Sequence, residues 1–442
     1  MTSSVFEDNV AQMGAVFFIY PASGNQPTQI LVSKCQFKEN RAEKAGSVLL
    51  ANNLGIASNS TTFTIAFSGC SFEAHSTAAF QLALSHFSFS LQQCQFSKEI
   101  QLITGKLWFG NFSMSNCSAA FCQGPLILLD MTGILEVTSS NFTHISGGPV
   151  LAVTGQSVSS SFVFLSTLRL FNMTNLGSIL QGILISAEYA SIQLSDSELR
   201  TYTAHICGIF YIAFSDFNST GLRVYDGTAQ QNVVGIVMFG IVYMRNTLLD
   251  TMKSDGQMWT FNEISGHLDQ IEFRNIIGFA VLIGDSILYS TNFMSIITST
   301  LVIDGLKTYL INPGTPILYS SSSTFTLKNS QFSGQLGFVL IMIRSGKCKV
   351  YNTSMSFPVG KSVYQISSGG KLEVEQCSLQ DTVLSGPLIT PSTGSRVHVR
   401  ELRLRNVTAV ALSKGNNCYI RVDKAEILGC KIDALIHFSI QV

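Results

Sequence analysis

The sequence predicts an all-β chain wound as a right-handed parallel β-helix, a solenoid of about 16–17 rungs of roughly 24 residues with three short strands per rung. Three observations point there. A short pattern, Cys or Ser, any residue, large apolar, recurs along the chain. Hydrophobic residues make up 46% of the 442 positions while charged residues make up only 12%. No stretch shows a capped apolar helix period, so strands and turns must carry the whole fold.

The repeat supplies the elements in order. Cys35-Gln-Phe37, Cys70-Ser-Phe72, Cys94-Gln-Phe96, Cys377-Ser-Leu379 and Cys430-Lys-Ile432 share the pattern, with Ser140-Asn-Phe142, Ser215-Asp-Phe217 and Ser330-Gln-Phe332 as serine versions. Toward the end the large residue is expected at 332, 355, 379, 407 and 432. Gly105, Gly133, Gly346 and Gly370 each precede four residues of alternating strand pattern and read as turn glycines. Gly124-Pro, Gly148-Pro and Gly386-Pro open another strand, where a proline fits the first position because it has no donor to offer the ladder. Alternation puts Phe37, Phe72, Phe96, Phe142, Phe332 and Leu379 inward as one core ladder, stacked at about 4.8 Å. Outward positions are Ser, Thr, Asn and Gln, since like charges stacked on every rung would repel. The whole of residues 1–442 reads as a single domain. Residues 245–274 are unusually charged and read as loop-rich or inserted.

Composition excludes several classes. Lys+Arg and Asp+Glu are both 27, so no general electrostatic grip on nucleic acid is expected. The longest apolar run, Val233–Met244, is too short to span a bilayer and reads as buried strand. The start, Met1-Thr-Ser-Ser-Val-Phe6, lacks the basic and apolar parts of a signal peptide. It enters a repeat at once, and Ile436–Val442 stops in apolar strand. Uncapped solenoid ends imply a segment of a longer chain, or ends that abut other subunits and propagate into a filament.

Phe6-Glu-Asp-Asn9-Val-Ala11-Gln-Met-Gly14-Ala-Val16 aligns with Phe37-Lys-Glu-Asn40-Arg-Ala42-Glu-Lys-Ala-Gly46-Ser-Val48. These repeats resemble the F-x-x-N and G-G-A-[ILV] repeats of chlamydial polymorphic outer-membrane proteins and of protist β-helix surface proteins. The chain as a whole resembles the pectin-lyase-like superfamily. The resemblance implies a surface-exposed adhesive or structural rod. The Asn of the motif is missing after Phe96 and Phe142, and no C-terminal membrane-barrel pattern is present.

Candidate sites are few. Cys35, Cys70, Cys94 and Cys117 fall near one position of successive units, and form either a row of inter-rung disulfides or a buried thiol ladder. No C-x-x-C pair is present, so no zinc site, and no other metal or cofactor, is expected. Eight N-x-[ST] sequons at Asn59, Asn111, Asn116, Asn141, Asn172, Asn218, Asn352 and Asn406 are glycosylation candidates, or chance matches in a Ser/Thr-rich chain. Polysaccharide cleavage needs clustered carboxylates beside a base. Only Asp250, Asp255, Asp269 and Arg274 offer that. Arg396, His398, Arg400, Arg403 and Arg405 alternate with apolar residues on one outward face. This basic stripe is a docking face for an acidic partner or glycan, or a solvated edge that discourages strand pairing.

The reading that results is a non-enzymatic extracellular or cell-surface β-helix, structural or adhesive. Its partners are other subunits or flanking chain, and glycans. A carbohydrate-active β-helix enzyme, lyase or hydrolase, is the alternative, and an intracellular scaffold a third.

Overall fold

The computed structural model describes every residue except 20–27, 53–62, 178–180, 233, 255, 257, 279–293, 312–315, 335–338 and 439–442. The described residues hold strands and turns and no helix. Among the described residues the strand pairings are parallel, each strand lying on one 23 to 35 residues further along, most often 23 or 24. The chain is therefore a parallel β-solenoid.

One rung shows the plan. Phe80–Ser85 forms its first side, Phe87–Gln92 its second and Gln95–Ser97 its third. Each corner is turned by a single residue with positive φ: His86 between the first two sides, Gln93 before the third side, and Lys98 after it. Such corners recur as Phe109, Asn116 and Phe121 in the next rung. Because one residue suffices to turn, the first two sides of some rungs run together, as in Ile103–Ser115 and Ile127–Thr138.

The residue pointing inward just after a corner explains the Cys/Ser repeat. Ser140 Oγ donates to the Thr138 carbonyl at 2.8 Å and accepts the Cys117 N–H from the rung before at 3.2 Å. Cys117 does the same with the Ser115 carbonyl and the Cys94 N–H. A small side chain that can both donate and accept satisfies backbone groups that the corner withdraws from the ladder. Cys and Ser are interchangeable there for that reason. All ten cysteines are free, so the thiol ladder, not a row of disulfides, is what the structure contains.

All three corners use the same device, and this corrects the expected register. Ser215 caps a first corner, bonding the Ala213 carbonyl and the Ala190 N–H, so Phe217 belongs to a second side and pairs with Ile192. Cys430 caps a third corner through the Leu428 carbonyl and the Val407 N–H. The ladder thus continues from Leu379 to Leu404 and Ile427, not to 407 and 432. Gly105 likewise does not open a strand: it lies within one, and Gly110 is the partner of Gly133.

The chain divides into two compact units, Met1–Arg223 and Val224–Val442. In the first, the third-side ladder passes in register through Phe6, Phe37, Phe72, Phe96, Ala119, Phe142, Leu170 and Leu199. Phe37, Phe72, Phe96 and Phe142 are at most 2% exposed. Phe72 stacks on Phe37 at 5.0 Å and on Phe96 at 4.7 Å.

Three residues after each of the first four Phe, the third corner carries a polar side chain in place of an apolar one, half-buried at Asn9 and buried at Asn40, His75 and Glu99. Asn9 donates through its N–H and Nδ2 to Asn40 Oδ1, at 3.2 and 2.7 Å. That fixes Asn40 with its Nδ2 toward the Phe6 carbonyl and toward His75 Nε2, at 3.0 and 3.4 Å. His75 Nε2 therefore accepts, and Nδ1–H donates to Glu99 Oε1 at 2.8 Å. Asn40, His75 and Glu99 are all buried, and Glu99 Oε2 has no hydrogen-bond partner. Burial pushes the Glu99 carboxyl above its usual range, the His75 hydrogen bond opposing only part of that rise.

In the second unit the ladder runs Leu249, Phe273, Thr308, Phe332, Met355, Leu379 and Leu404. Phe332 and Leu379 are buried, as is Trp259, whose ring lies 4.8 Å from Phe261. Residues 245–274 are not a loop-rich insertion. They fall in two 14-residue strands, Ile241–Ser254 and Ser265–Gly278, with Trp259–Asn262 between them. The charges stand outward in register, Arg245 on Asp269 and Asp250 on Arg274, where opposite signs on adjacent rungs attract.

Candidate functional site

Of the four acid and base candidates of the second unit, the three that are described each find their own partners. Asp269 forms an ion pair with Arg245 at 3.0 Å. Arg274 turns to Glu272, in its own strand, at 2.8 Å. Asp250 accepts hydrogen bonds from Asn275 and Thr251. Asp255 lies outside the described residues. These contacts satisfy each group with its rung neighbour, and Asp250 and Asp269 sit on different sides of their rungs.

The basic stripe is largely neutralised. His398 lies 2.7 Å from Asp423, Arg400 is 3.5 Å from Glu375, and Arg403 is 3.5 Å from Glu426. His398 and Arg421, both bonded to Asp423, hold its carboxyl below the usual range. Arg396 and Arg405 are exposed and keep no ion pair among the described residues.

Seven of the eight sequon asparagines are described, and all seven are exposed; Asn59 lies outside the described residues. They divide by what the amide does. Asn352 Nδ2 donates to Asn329, Asn406 Nδ2 to Asp381, and Asn172 Nδ2 faces His144 Nε2. Asn111, Asn116, Asn141 and Asn218 make no such bond among the described contacts.

A concave feature lies elsewhere among the described residues, on the first side of the first unit. Outward residues of successive rungs line an open groove of about 470 Å³. One row is Leu50, Gln81, Thr104 and Leu128, and the next is Asn52, Ala83, Lys106, Asp130 and Thr154. Its floor depends on Gly105, where a Cβ would stand 1.8 Å from the Leu82 carbonyl oxygen. Lys106 Nζ lies 3.9 Å from Asp130 Oδ2. Asp130 is the one carboxylate and Lys106 the one cation among the lining residues. Glycosidic hydrolysis uses two carboxyl groups about 5–9.5 Å apart; the lining of this groove offers one, set among amide, hydroxyl and leucine side chains.

Sequence reasoning missed this groove. Its residues are about 24 positions apart and come into line only when the rungs are aligned on Ile103, Ile127 and Leu151. Gly105, read as a turn, hid that alignment.

No protein-family model matches the chain, and no curated protein sequence matches it. Among solved structures it is similar to the A-module of the mannuronan C-5 epimerase AlgE6 of Azotobacter vinelandii, at 10% identity over 86% of this chain and 91% of that one, with a TM-score of 0.21. It is similar to the catalytic domain of a GH87 α-1,3-glucanase, at 10% identity over 85% and 63%, TM-score 0.25. It is similar to the Streptococcus pneumoniae surface protein and adhesin PfbA, at 10% identity over 85% and 91%, TM-score 0.18. The fold stands on this chain's own strand pairing, and likenesses of this size add no argument about what it does. The resemblance to chlamydial surface proteins rests on residues 6–16 and 37–48 alone.

Proposed function

We propose that the protein is a non-enzymatic β-solenoid of the extracellular space or cell surface, whose work is structural or adhesive. The observation that carries this is the groove of the first unit: amide, hydroxyl and leucine side chains around a single Lys106–Asp130 pair, a mixed surface suited to binding that holds one carboxylate among its lining residues. The seven exposed sequon asparagines fit an exported chain. The buried thiols do not oppose it, because their cap geometry holds them as hydrogen-bond donors to backbone rather than as disulfide partners.

The same ion pair supports the alternative, a carbohydrate-active enzyme, since a lysine beside a carboxylate is one form of acid–base pair. Incubation with neutral and acidic polysaccharides, followed by reducing-sugar release and by ultraviolet absorbance of unsaturated products, separates the two. The proposal expects no turnover. Turnover that is abolished in Asp130→Ala or Lys106→Ala would replace it with the enzyme reading.

A further inference from the structure

Corner residues of the first unit include bulky rings where physical chemistry disfavours them. Positive φ suits Gly, Asn and Asp, and is a genuine outlier for a bulky side chain. Phe109, Tyr189 and Phe214 nevertheless turn first corners with φ of 54°, 55° and 51°, and are 65%, 40% and 41% exposed. His86 turns the same corner, its ring 5.6 Å from Phe109. Tyr189 and Phe214 stack at 5.0 Å, 7° from parallel.

The two rungs between these pairs complete the line. They place Ile134 and Phe162, 39% and 36% exposed, at the first outward position beyond the same corner. Six successive rungs thus present His86, Phe109, Ile134, Phe162, Tyr189 and Phe214 along one edge. Five rung steps of about 4.8 Å make it on the order of 24 Å long. Across the second side from it, at the far margin, runs a column of hydroxyls: Ser115, Thr138, Ser166, Ser195 and Thr220, in register. The second-side rows of these rungs carry two charges, Glu136 and Asp216, both acidic.

We propose that this edge and the second-side face are a binding platform for a neutral polysaccharide chain lying along the solenoid axis. Aromatic faces take the apolar faces of pyranose rings, and the hydroxyl and amide rows take their hydroxyl groups. The two acids and the lack of cations in those rows disfavour acidic polysaccharides. Exposed rings held at unfavourable φ are the kind of backbone outlier from which a functional hypothesis can be drawn. The platform is distinct from the groove on the first side, and it refines the adhesive reading by naming the ligand class.

The test uses the full chain in native affinity gels cast with soluble glucan, mannan or xylan, and in parallel with alginate or polygalacturonate. The variant is Phe109→Asn with Phe214→Asn, in which Asn relieves both corners, so thermal stability should hold or rise. The proposal expects retardation by at least one neutral polysaccharide, none by the acidic ones, and about tenfold weaker binding in the variant, about 1.4 kcal/mol. Undiminished binding in the stable variant overturns the platform while leaving an adhesive function standing. No retardation in any gel overturns it too, as does a concentration-dependent mass in light scattering that the variant abolishes, which would assign the edge to a second copy. Loss of surface association in the native setting, with glycan binding intact, would instead overturn the adhesive reading.

Discussion

Replacing Phe72 with Ala should destabilise the first unit more than replacing Phe142 with Ala, although both rings are buried at the same ladder position. Each loses transfer free energy and leaves a cavity, together about 3–5 kcal/mol. Their neighbours differ. Phe142 lies between Ala119 and Leu170. Phe72 lies between two stacked rings, Phe37 at 5.0 Å and Phe96 at 4.7 Å, and meets the edges of Phe67 and Phe80 at 5.9 and 5.1 Å. Aromatic pairs contribute about 0.5–1.5 kcal/mol each beyond burial. The two stacks alone put the excess at roughly 1–3 kcal/mol. Phe96→Ala, with one stack, should fall between. The chain has two tryptophans, Trp108 in the first unit and Trp259 in the second. Urea unfolding followed by Trp108 fluorescence in a Trp259→Phe background therefore reads the first unit by itself. With m of about 1–3 kcal/mol per molar, the excess appears as a midpoint lower by about a third of a molar or more. Equal midpoints for the Phe72 and Phe142 variants would refute the claim that ring stacking, rather than burial, sets the energy of this ladder.

Further outcomes follow from other sites. Glu99→Gln should be the more stable protein at pH 8, and its advantage should shrink on acidification. The folded Glu99 carboxyl is raised by burial, so its favourable contribution is full below the unfolded value and is lost as pH rises through the folded one. Melting temperatures of both proteins at pH 5 and pH 8 decide this, and a variant equally destabilised at both would sink it. In the native state a thiol reagent should modify Cys418 and Cys430 and spare the eight buried cysteines until unfolding. Burial pushes Cys122 and Cys377 up to about 11, which slows them further. Detection of a disulfide by non-reducing mass mapping would contradict the free-thiol assignment. Glycopeptide mapping of the native protein should find sugar at Asn116 or Asn141, which lie off the second-side rows, ahead of Asn172, Asn352 and Asn406, whose amides are engaged. The reverse order would show that these outer hydrogen bonds form only after modification is decided.

The rung length and the inward Phe ladder were legible because alternation and a period near 24 residues survive in the apolar positions. The register was less so. Many corners are turned by residues such as Gln93, Phe109, His144 or Thr167 where others use Gly, as at Gly69 and Gly305, so the usual punctuation of turns is irregular. The Cys/Ser-x-large pattern marks a corner without saying which of three, which is how Ser215 and Cys430 were placed in the wrong column. Charge density misled in 245–274 because it was read along the chain. Arg245 and Asp269 neutralise each other across rungs, a relation invisible to a linear window. The groove and the aromatic edge share that property: Lys106 and Asp130, or Tyr189 and Phe214, become neighbours only through the winding.

The polar string Asn9, Asn40, His75 and Glu99, buried from its second member on, bears on how such a chain finds its winding. A ladder of phenylalanines is indifferent to which rung lies on which, since a slip of one whole rung sets Phe on Phe again. The polar string is not indifferent. Each member differs in what it offers its neighbour, and each bond has a direction. A slip by one rung would leave buried donors facing donors, at about 1–3 kcal/mol for each group left unmatched. The apolar ladders thus act as adhesive, while these four side chains act as an address, written at the third corner of the first four rungs.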